Sequence, residues 1–369
     1  MAQAPEAPEG RARDPRRRPP DATYFAALDL GTNNCRLLIA TPTPRGFRVI
    51  DAYSRIVRLG EGLSRSGRLS DEAMERAIAA LGVCAGKIRR YGAVRMRAIA
   101  TQACRSASNG RAFLDHVTER TGLRLDVISP REEAQLSVAG CSNLIDRDAD
   151  AALVLDVGGG STELSWLDLK DHRARALQSG RPGGRPRVKA WLSIPIGVVS
   201  LAERFPEGEN ADPAWFRRMV DEVKAKIEAF PHAEDLRSVF EAGRAHLIGT
   251  SGAITSLAGL HLGLARYERS KVDGLWMTKT ECEVVADRLS RLNARERATE
   301  PCIGADRADL VLAGAAILQA VQEVWPCERV RVADRGLREG LLLSLMADDR
   351  RRQGRRRRRP RSMVAPAAA

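Results

Sequence analysis

Apolar residues along this chain fall into short blocks with two different spacings. Near 24–30, 34–40 and 47–57 the blocks are compact and bounded by turn-forming residues, which predicts three consecutive strands. The next stretch, 70–90, opens on Ser70 and Asp71 and then repeats Ala73, Ala77, Ile78 and Leu81 at helical spacing. A strand at 94–100, a helix at 110–121, a strand at 124–128 and a helix opening at Ser129 complete the first half. The second half repeats the theme, with strands near 152–157, 161–167 and 190–196 and helices near 213–229, 252–264, 278–292 and 306–324. Alternation of this kind predicts an α/β architecture. A polar break at 146–150 marks a domain boundary. Residues 168–190, rich in Gly, Pro, Arg and Lys, read as a surface insertion between two strands.

Within this pattern one segment is nearly repeated. LDLGTNN at 28–34 returns as LDVGGGSTEL at 155–164, each copy a buried-strand signature ending in Asp-x-Gly and followed by another strand. Glycine at such a turn lets the backbone approach a ligand, and converging N–H groups form a nest for a phosphate oxygen. The aspartate closing each strand, Asp29 or Asp156, can hold Mg²⁺ or its waters beside that phosphate. Two copies a domain's length apart predict two related domains facing each other across a phosphate-binding cleft. The division expected is a disordered tail over 1–21, a first domain over 22–148, a second over 149–349, and a disordered Arg-rich tail over 350–369. The last helix of the second domain is in a position to pack back on the first.

The chain has 369 residues, enough for two cores, and a formal net charge of +13. Residues 350–369 carry nine Arg and no acid, and residues 1–21 carry five Arg against four acids. Removing these contributions of +9 and +1 leaves only +3 on the body. The basic character is therefore concentrated at the C-terminus, where such a run suits non-specific contact with RNA or another polyanion. Nothing near the N-terminus has the apolar core of a secretory signal, and the longest apolar run, 310–318, is too short to span a bilayer. Seven Cys without CxxC spacing and five scattered His predict reduced thiols, a cytoplasmic protein and no zinc site.

Motifs follow in a fixed order: LDLGTNNCRLLIA, RIVRLGEGL, ATQACRSASN, ISPREEAQL, LDVGGGSTEL, GTSGAIT and DRGLREG. In this the chain resembles the exopolyphosphatase / guanosine pentaphosphate phosphohydrolase (Ppx/GppA phosphatase) family of the sugar-kinase, heat-shock-chaperone and actin superfamily, over residues 24–347. The resemblance implies two ribonuclease-H-like domains around an interdomain cleft, with Mg²⁺ as cofactor and Mn²⁺ as an alternative. It implies removal of the terminal phosphate from inorganic polyphosphate or from pppGpp. A weakly hydrolytic polyphosphate- or alarmone-binding regulator would share almost all the same residues, whereas a kinase of the superfamily would need its base on a different element. A homodimer is compatible with either reading.

Ser129-Pro130-Arg131-Glu132 fits a capping box, which gives Glu132 a structural task. That leaves Glu133 as a first-turn acid, either complementing the helix dipole or serving the cleft. The resemblance implies the second, because the glutamate directly before this Ala is the family's proposed catalytic base. Arg131 and Gln135 depart from the residues usual there. By the same resemblance Asp29 and Asp156 are metal ligands, and Gly31, Thr32, Asn33 and Asn34 form the first phosphate loop. Gly158, Gly159, Gly160 and Ser161 form the second, and Gly249, Ser251 and Gly252 a third small-residue turn beside the cleft. Asn34 replaces a usual Ser, and an amide can still donate to phosphate. Arg105 matches an arginine that contacts phosphate, a role suited to a bidentate, always-charged donor. Strand alternation puts Glu163 on the same face as Ser161, making it a candidate metal or supporting acid. Arg36, Arg55 and Arg58 could extend a basic track, although solvated arginines are the default reading.

Overall fold

The apolar block at the start of the first lobe lacks alternation because it is buried on both faces. It is β1 (Phe25–Leu30), central in a five-stranded sheet with β2 (Asn34–Thr43), β3 (Gly46–Ile56), β4 (Arg95–Ala100) and β5 (Asp126–Val127). The order is β3-β2-β1-β4-β5, with the first three strands antiparallel and β4 and β5 parallel to β1. The computed structural model describes residues 23–44, 46–93, 95–146, 148–179, 186–208 and 213–358.

The second lobe repeats the plan. Its strands are β6 (Ala151–Val157), β7 (Thr162–Asp168), β8 (Arg187–Ile194), β9 (Ala245–Thr250), β10 (Trp276–Thr278) and β11 (Arg329–Ala333). Here β6, β7 and β8 form the antiparallel meander, β9 and β11 add in parallel beside β6, and β10 closes the edge antiparallel. The same order built twice makes each lobe ribonuclease-H-like, as expected. Each lobe has its own core: Leu28, Leu37, Ile39 and Leu81 belong to the first, and Leu155, Leu164, Met219, Ile317 and Trp325 to the second.

Two helices exchange lobes. The helix Pro130–Cys141 starts against the first sheet through Leu136 and ends on the second through Val138 and Cys141. The helix Leu337–Arg358 runs the other way, leaving β11 and burying Leu341, Leu342 and Met346 against Phe25, Ala27 and Ile99 of the first lobe. They cross backbone to backbone: a side-chain carbon on Gly140 would strike the Gly336 carbonyl, and one on Gly340 the Leu136 carbonyl. Helix Asp71–Tyr91 stops where Gly92 turns left-handed at φ 59°, with Ser70 accepting from the Ala73 N–H at its start.

Several details depart from expectation. Ser129 caps its helix by accepting from the Glu132 N–H at 3.2 Å, but Glu132 does not reach back. Its carboxylate pairs with Arg97 instead, at 2.6 Å, so half of the capping box forms. The stretch 168–190 holds the helix Leu169–Ser179 and the start of β8, and residues 180–185 lie outside those described. The helix expected at 306–324 begins at Val311, after turns in which the Arg307 N–H donates to the Gly304 carbonyl and the Leu310 N–H to the Arg307 carbonyl. The last helix continues through Arg358, so the start of the expected disordered tail is helical, consistent with the good helix propensity of Arg and Gln. The remaining tail residues, 359–369, and the 1–21 segment lie outside the described residues.

Candidate active site

The two Asp-x-Gly turns adopt one geometry. The Gly31 N–H donates to the Asn34 carbonyl at 2.9 Å, and the Gly158 N–H donates to the Ser161 carbonyl at 2.9 Å. They meet across a cavity of about 400 Å³ between the lobes. Contact is close: a carbon added to Gly159 would lie 2.9 Å from Thr32 Cβ and 3.1 Å from the Asn33 nitrogen. Gly160 faces Gln102 and Thr32 in the same way. Glycine is required here by the approach of the opposite lobe. The N–H groups of Thr32, Asn33, Gly159 and Gly160 make no backbone hydrogen bond among the described residues, so they remain available to an anion.

Four carboxylates gather beneath these turns. Asp29 and Asp156 end β1 and β6, Glu133 lies in the first turn of its helix, and Glu163 is on β7 opposite Asp156. Burial pushes Asp29 up to about 6, with Arg36 and Arg338 opposing it. Its Oδ1 is sealed from solvent and has no hydrogen-bond partner. Asp156 is also raised by burial, and the Ser137 hydroxyl, one turn beyond Glu133, donates to its Oδ2. Glu133 is only 7% exposed, and desolvation, then Glu163 and Asp156, hold its carboxyl well above the usual range. Glu163 is raised to about 7, chiefly by burial, with Ser193 Oγ donating to its Oε1 at 2.9 Å.

The cavity wall includes Asp29, Gly31, Thr32, Asn33, Asn34, Glu133, Asp156, Gly158, Gly159, Gly160, Ser161, Ser251 and Gly252. Three expected members are not in that wall. Arg105 stands behind Glu133, with Nη1 donating to Glu133 Oε2 at 3.3 Å and to the Ile128 carbonyl at 2.8 Å, so it holds the glutamate rather than facing the cleft. Glu163 supports the wall from β7. Gly249 is packed in the lobe, where an added carbon would press Ile254 at 3.0 Å. Ser251, by contrast, sits at φ 150° in the cleft while its side chain accepts from the Ile254 N–H at 3.2 Å. A non-glycine residue in that region carries backbone strain, a cost typical of ligand-facing turns.

Other cleft residues were not singled out as site residues. Arg338 comes from DRGLREG and lines the cavity with Arg36 and Arg307. Burial and the nearby Arg36 push Arg338 below its usual value, although a guanidinium stays charged. Two like charges held near each other in a cleft make an anion site. The helix Val198–Arg204 also contributes, its Val198 and Val199 N–H groups taking the Gly158 and Gly159 carbonyls at 3.0 and 2.8 Å. Of the expected basic track, Arg36 reaches the cleft, Arg55 is exposed on β3, and Arg58 crosses to the other lobe to grip Asp309.

A family model for the Ppx/GppA phosphatase family matches residues 38–349. The chain belongs to the Ppx/GppA phosphatase family. Among curated relatives it is similar to the exopolyphosphatase 2 of Mycobacterium tuberculosis, 29% identical over 337 residues, covering 88% of this chain and 98% of that protein. It is also similar to the guanosine-5'-triphosphate,3'-diphosphate pyrophosphatase of Photobacterium profundum, 28% identical over 330 residues. That match takes in 89% of this chain, which spans 61% of the relative's length. Two solved structures share the architecture of this Ppx/GppA member. The Aquifex aeolicus family member has a TM-score of 0.70 at 26% identity, covering 89% of this chain and 99% of that one. An exopolyphosphatase-like protein has a TM-score of 0.76 at 29% identity, covering 90% and 100%. Among the described residues no helix is long and apolar enough to cross a membrane, and no group of three or more His, Cys, Asp or Glu side chains could hold a metal. All seven cysteines are buried and free.

Proposed function

We propose that this protein is a Mg²⁺-dependent exopolyphosphatase that releases orthophosphate from the end of inorganic polyphosphate. The observation carrying this reading is the placement of Glu133, a buried acid held by Arg105, beneath two phosphate-loop turns in contact across the lobes. Glu133 would take a proton from water attacking the terminal phosphorus in line. Burial and neighbouring acids keep its carboxyl basic, and Arg105 favours the ionised form and fixes its direction. The free N–H groups of the turns, with Arg36 and Arg338, would stabilise charge developing on the phosphoryl oxygens.

The donor set fits Mg²⁺. Asp29 presents an unpartnered buried oxygen and Asp156 a second carboxylate across the cleft, and a hard ion that keeps waters and substrate phosphates needs no more protein ligands. Bound there, Mg²⁺ would neutralise charge on the substrate's phosphate oxygens. The seven buried free thiols agree with a cytoplasmic enzyme. pppGpp is a second reading, favoured by a cavity wall that extends past the phosphate loops to include Thr255, Tyr267, Arg307 and Val311. Parallel phosphate-release assays with Mg²⁺ on long polyphosphate, tripolyphosphate, pppGpp and ATP test the proposal. Polyphosphate should be turned over fastest; preference for pppGpp selects the second reading, and no release from any of the four rejects both.

A further inference from the structure

The helix Leu337–Arg358 joins two very different environments. Its first turn is in the cleft, where Arg338 lines the cavity and Glu339 accepts from the Gly336 N–H at 2.9 Å. Its middle is core, with Leu341, Leu342 and Met346 buried in the first lobe. Asp349 then pins the helix to that lobe through Arg95 at 3.0 Å, and the rest of the helix, 350–358, carries no apolar side chain. Nine helical residues, 350–358, carry seven Arg and no acid. Arg350, Arg351 and Arg352 are exposed, and Asp348 lies 4.0 Å from Arg351.

Such an arm costs stability by itself. Like charges three and four residues apart on a helix repel, and Gly354 weakens it further. A polyanion removes that repulsion, and guanidinium groups bind phosphate oxygens bidentately. The arm's position is fixed by the buried half of the same helix. At 1.5 Å per residue, Arg350 lies about 18 Å along the axis from Arg338. A phosphate chain engaging both places must span at least that distance around the first lobe, which a short chain cannot do.

We propose that the arginine arm, 350–358, is a docking site for the distal part of a long inorganic polyphosphate whose end is in the cleft. The proposal rests on the exopolyphosphatase reading for its partner. Polyphosphate is favoured over nucleic acid because a second phosphate site at a fixed distance from the first converts distal binding into an intramolecular event for a chain that enters the cleft.

The test compares the full chain, a chain ending at Asp349, and a variant with Arg355, Arg356, Arg357 and Arg358 all replaced by Gln, which keeps helix propensity. KM is measured for long-chain polyphosphate and for tripolyphosphate across a salt series, and binding of labelled long-chain polyphosphate is measured separately. Losing the arm should raise the long-chain KM by roughly tenfold or more at low salt, leave tripolyphosphate unchanged, and have no effect at high salt. Equal long-chain KM and binding with and without the arm at low salt would overturn the proposal. So would tighter arm-dependent binding of single-stranded RNA than of polyphosphate at matched phosphate concentration. If no variant hydrolyses either chain, the exopolyphosphatase reading fails, and the binding measurement alone decides whether the arm docks polyphosphate.

Discussion

Adjacent glutamates on one helix turn have opposite surroundings, and that difference assigns their roles. Glu132 is partly exposed and paired with Arg97, whereas Glu133 is buried among carboxylates and held by Arg105. Glu132→Gln should therefore keep turnover within a few-fold of the parent, with a stability loss of about 1 kcal/mol or less because its pair is partly exposed. A combined activity and thermal-melt measurement checks this. The buried acids also set a pH dependence with a definite sign. Glu163 is raised from 4.5 to about 7 and Asp29 from 3.8 to about 6, so the native state holds protons that the unfolded chain has lost, and stability falls as pH rises through that window. His246 opposes this: burial lowers it from 6.5 to about 4, so it adds stability as pH rises over that range. Its neutral Nε2 accepts the Asp146 N–H at 3.1 Å. Because the slopes oppose, the test is a difference. The Tm of metal-free Glu163→Gln relative to the parent should rise between pH 5 and 8, reflecting on the order of 2 kcal/mol. A constant difference would place the titration elsewhere.

At the scale of elements, the phosphate turns show what local sequence can and cannot carry. LDLGTNN and LDVGGGSTEL were legible because a buried strand, an Asp-x-Gly turn and an antiparallel return occupy consecutive residues. The contact between the turns was not, since no local spacing says that Gly159 will meet Thr32. Gly159→Ala should accordingly leave each lobe folded, with Tm within a few degrees, but cut kcat/KM by at least about tenfold, as misplacement at a reacting centre does. A large Tm loss with retained kcat/KM would make the glycine a packing residue instead. The strands β9 and β11 escaped detection because HLIGT and RVRVA are short and sit among arginines and helix-forming segments; their partners are β6, β10 and each other, far apart in sequence. The motif singled out Arg105 but not its orientation, because its partners, Ile128 and Glu133, are on a different strand end and helix. Arg338 lay inside a motif that was recognised, yet only the crossing of the bridging helices at Gly140, Gly336 and Gly340 brings it into the cleft.

Across the whole molecule the lobes are clasped at the cleft edge as well as bridged by helices. Arg58, a non-glycine residue at φ 47°, pairs with Asp309 of the second lobe through Nη1 at 2.9 Å and Nη2 at 3.2 Å. Nearby, the Gly62 N–H and the Ser64 hydroxyl both donate to Glu203, on the helix that supports the second phosphate turn. The loop from Val57 to Gly60 is tied in turn to the first phosphate turn through the carbonyls of Thr32 and Asn33. The clasp therefore couples lobe closure to both turns. Arg58→Ala should raise KM several-fold while changing global stability by about 1 kcal/mol or less, since the ion pair is part-exposed. Small-angle scattering should report a larger radius of gyration for the variant without substrate, and an unchanged radius and KM would show the clasp to be inert.

The central claim is that Glu133 deprotonates the attacking water in a Mg²⁺-loaded cleft. Its most direct test is single-turnover phosphate release from long polyphosphate by the parent and by Glu133→Gln, at saturating enzyme and Mg²⁺, with polyphosphate binding measured on the same preparations. The account predicts near-equal binding and a rate lower by roughly two to four orders of magnitude in the variant. A rate within about tenfold of the parent's at equal binding would contradict it.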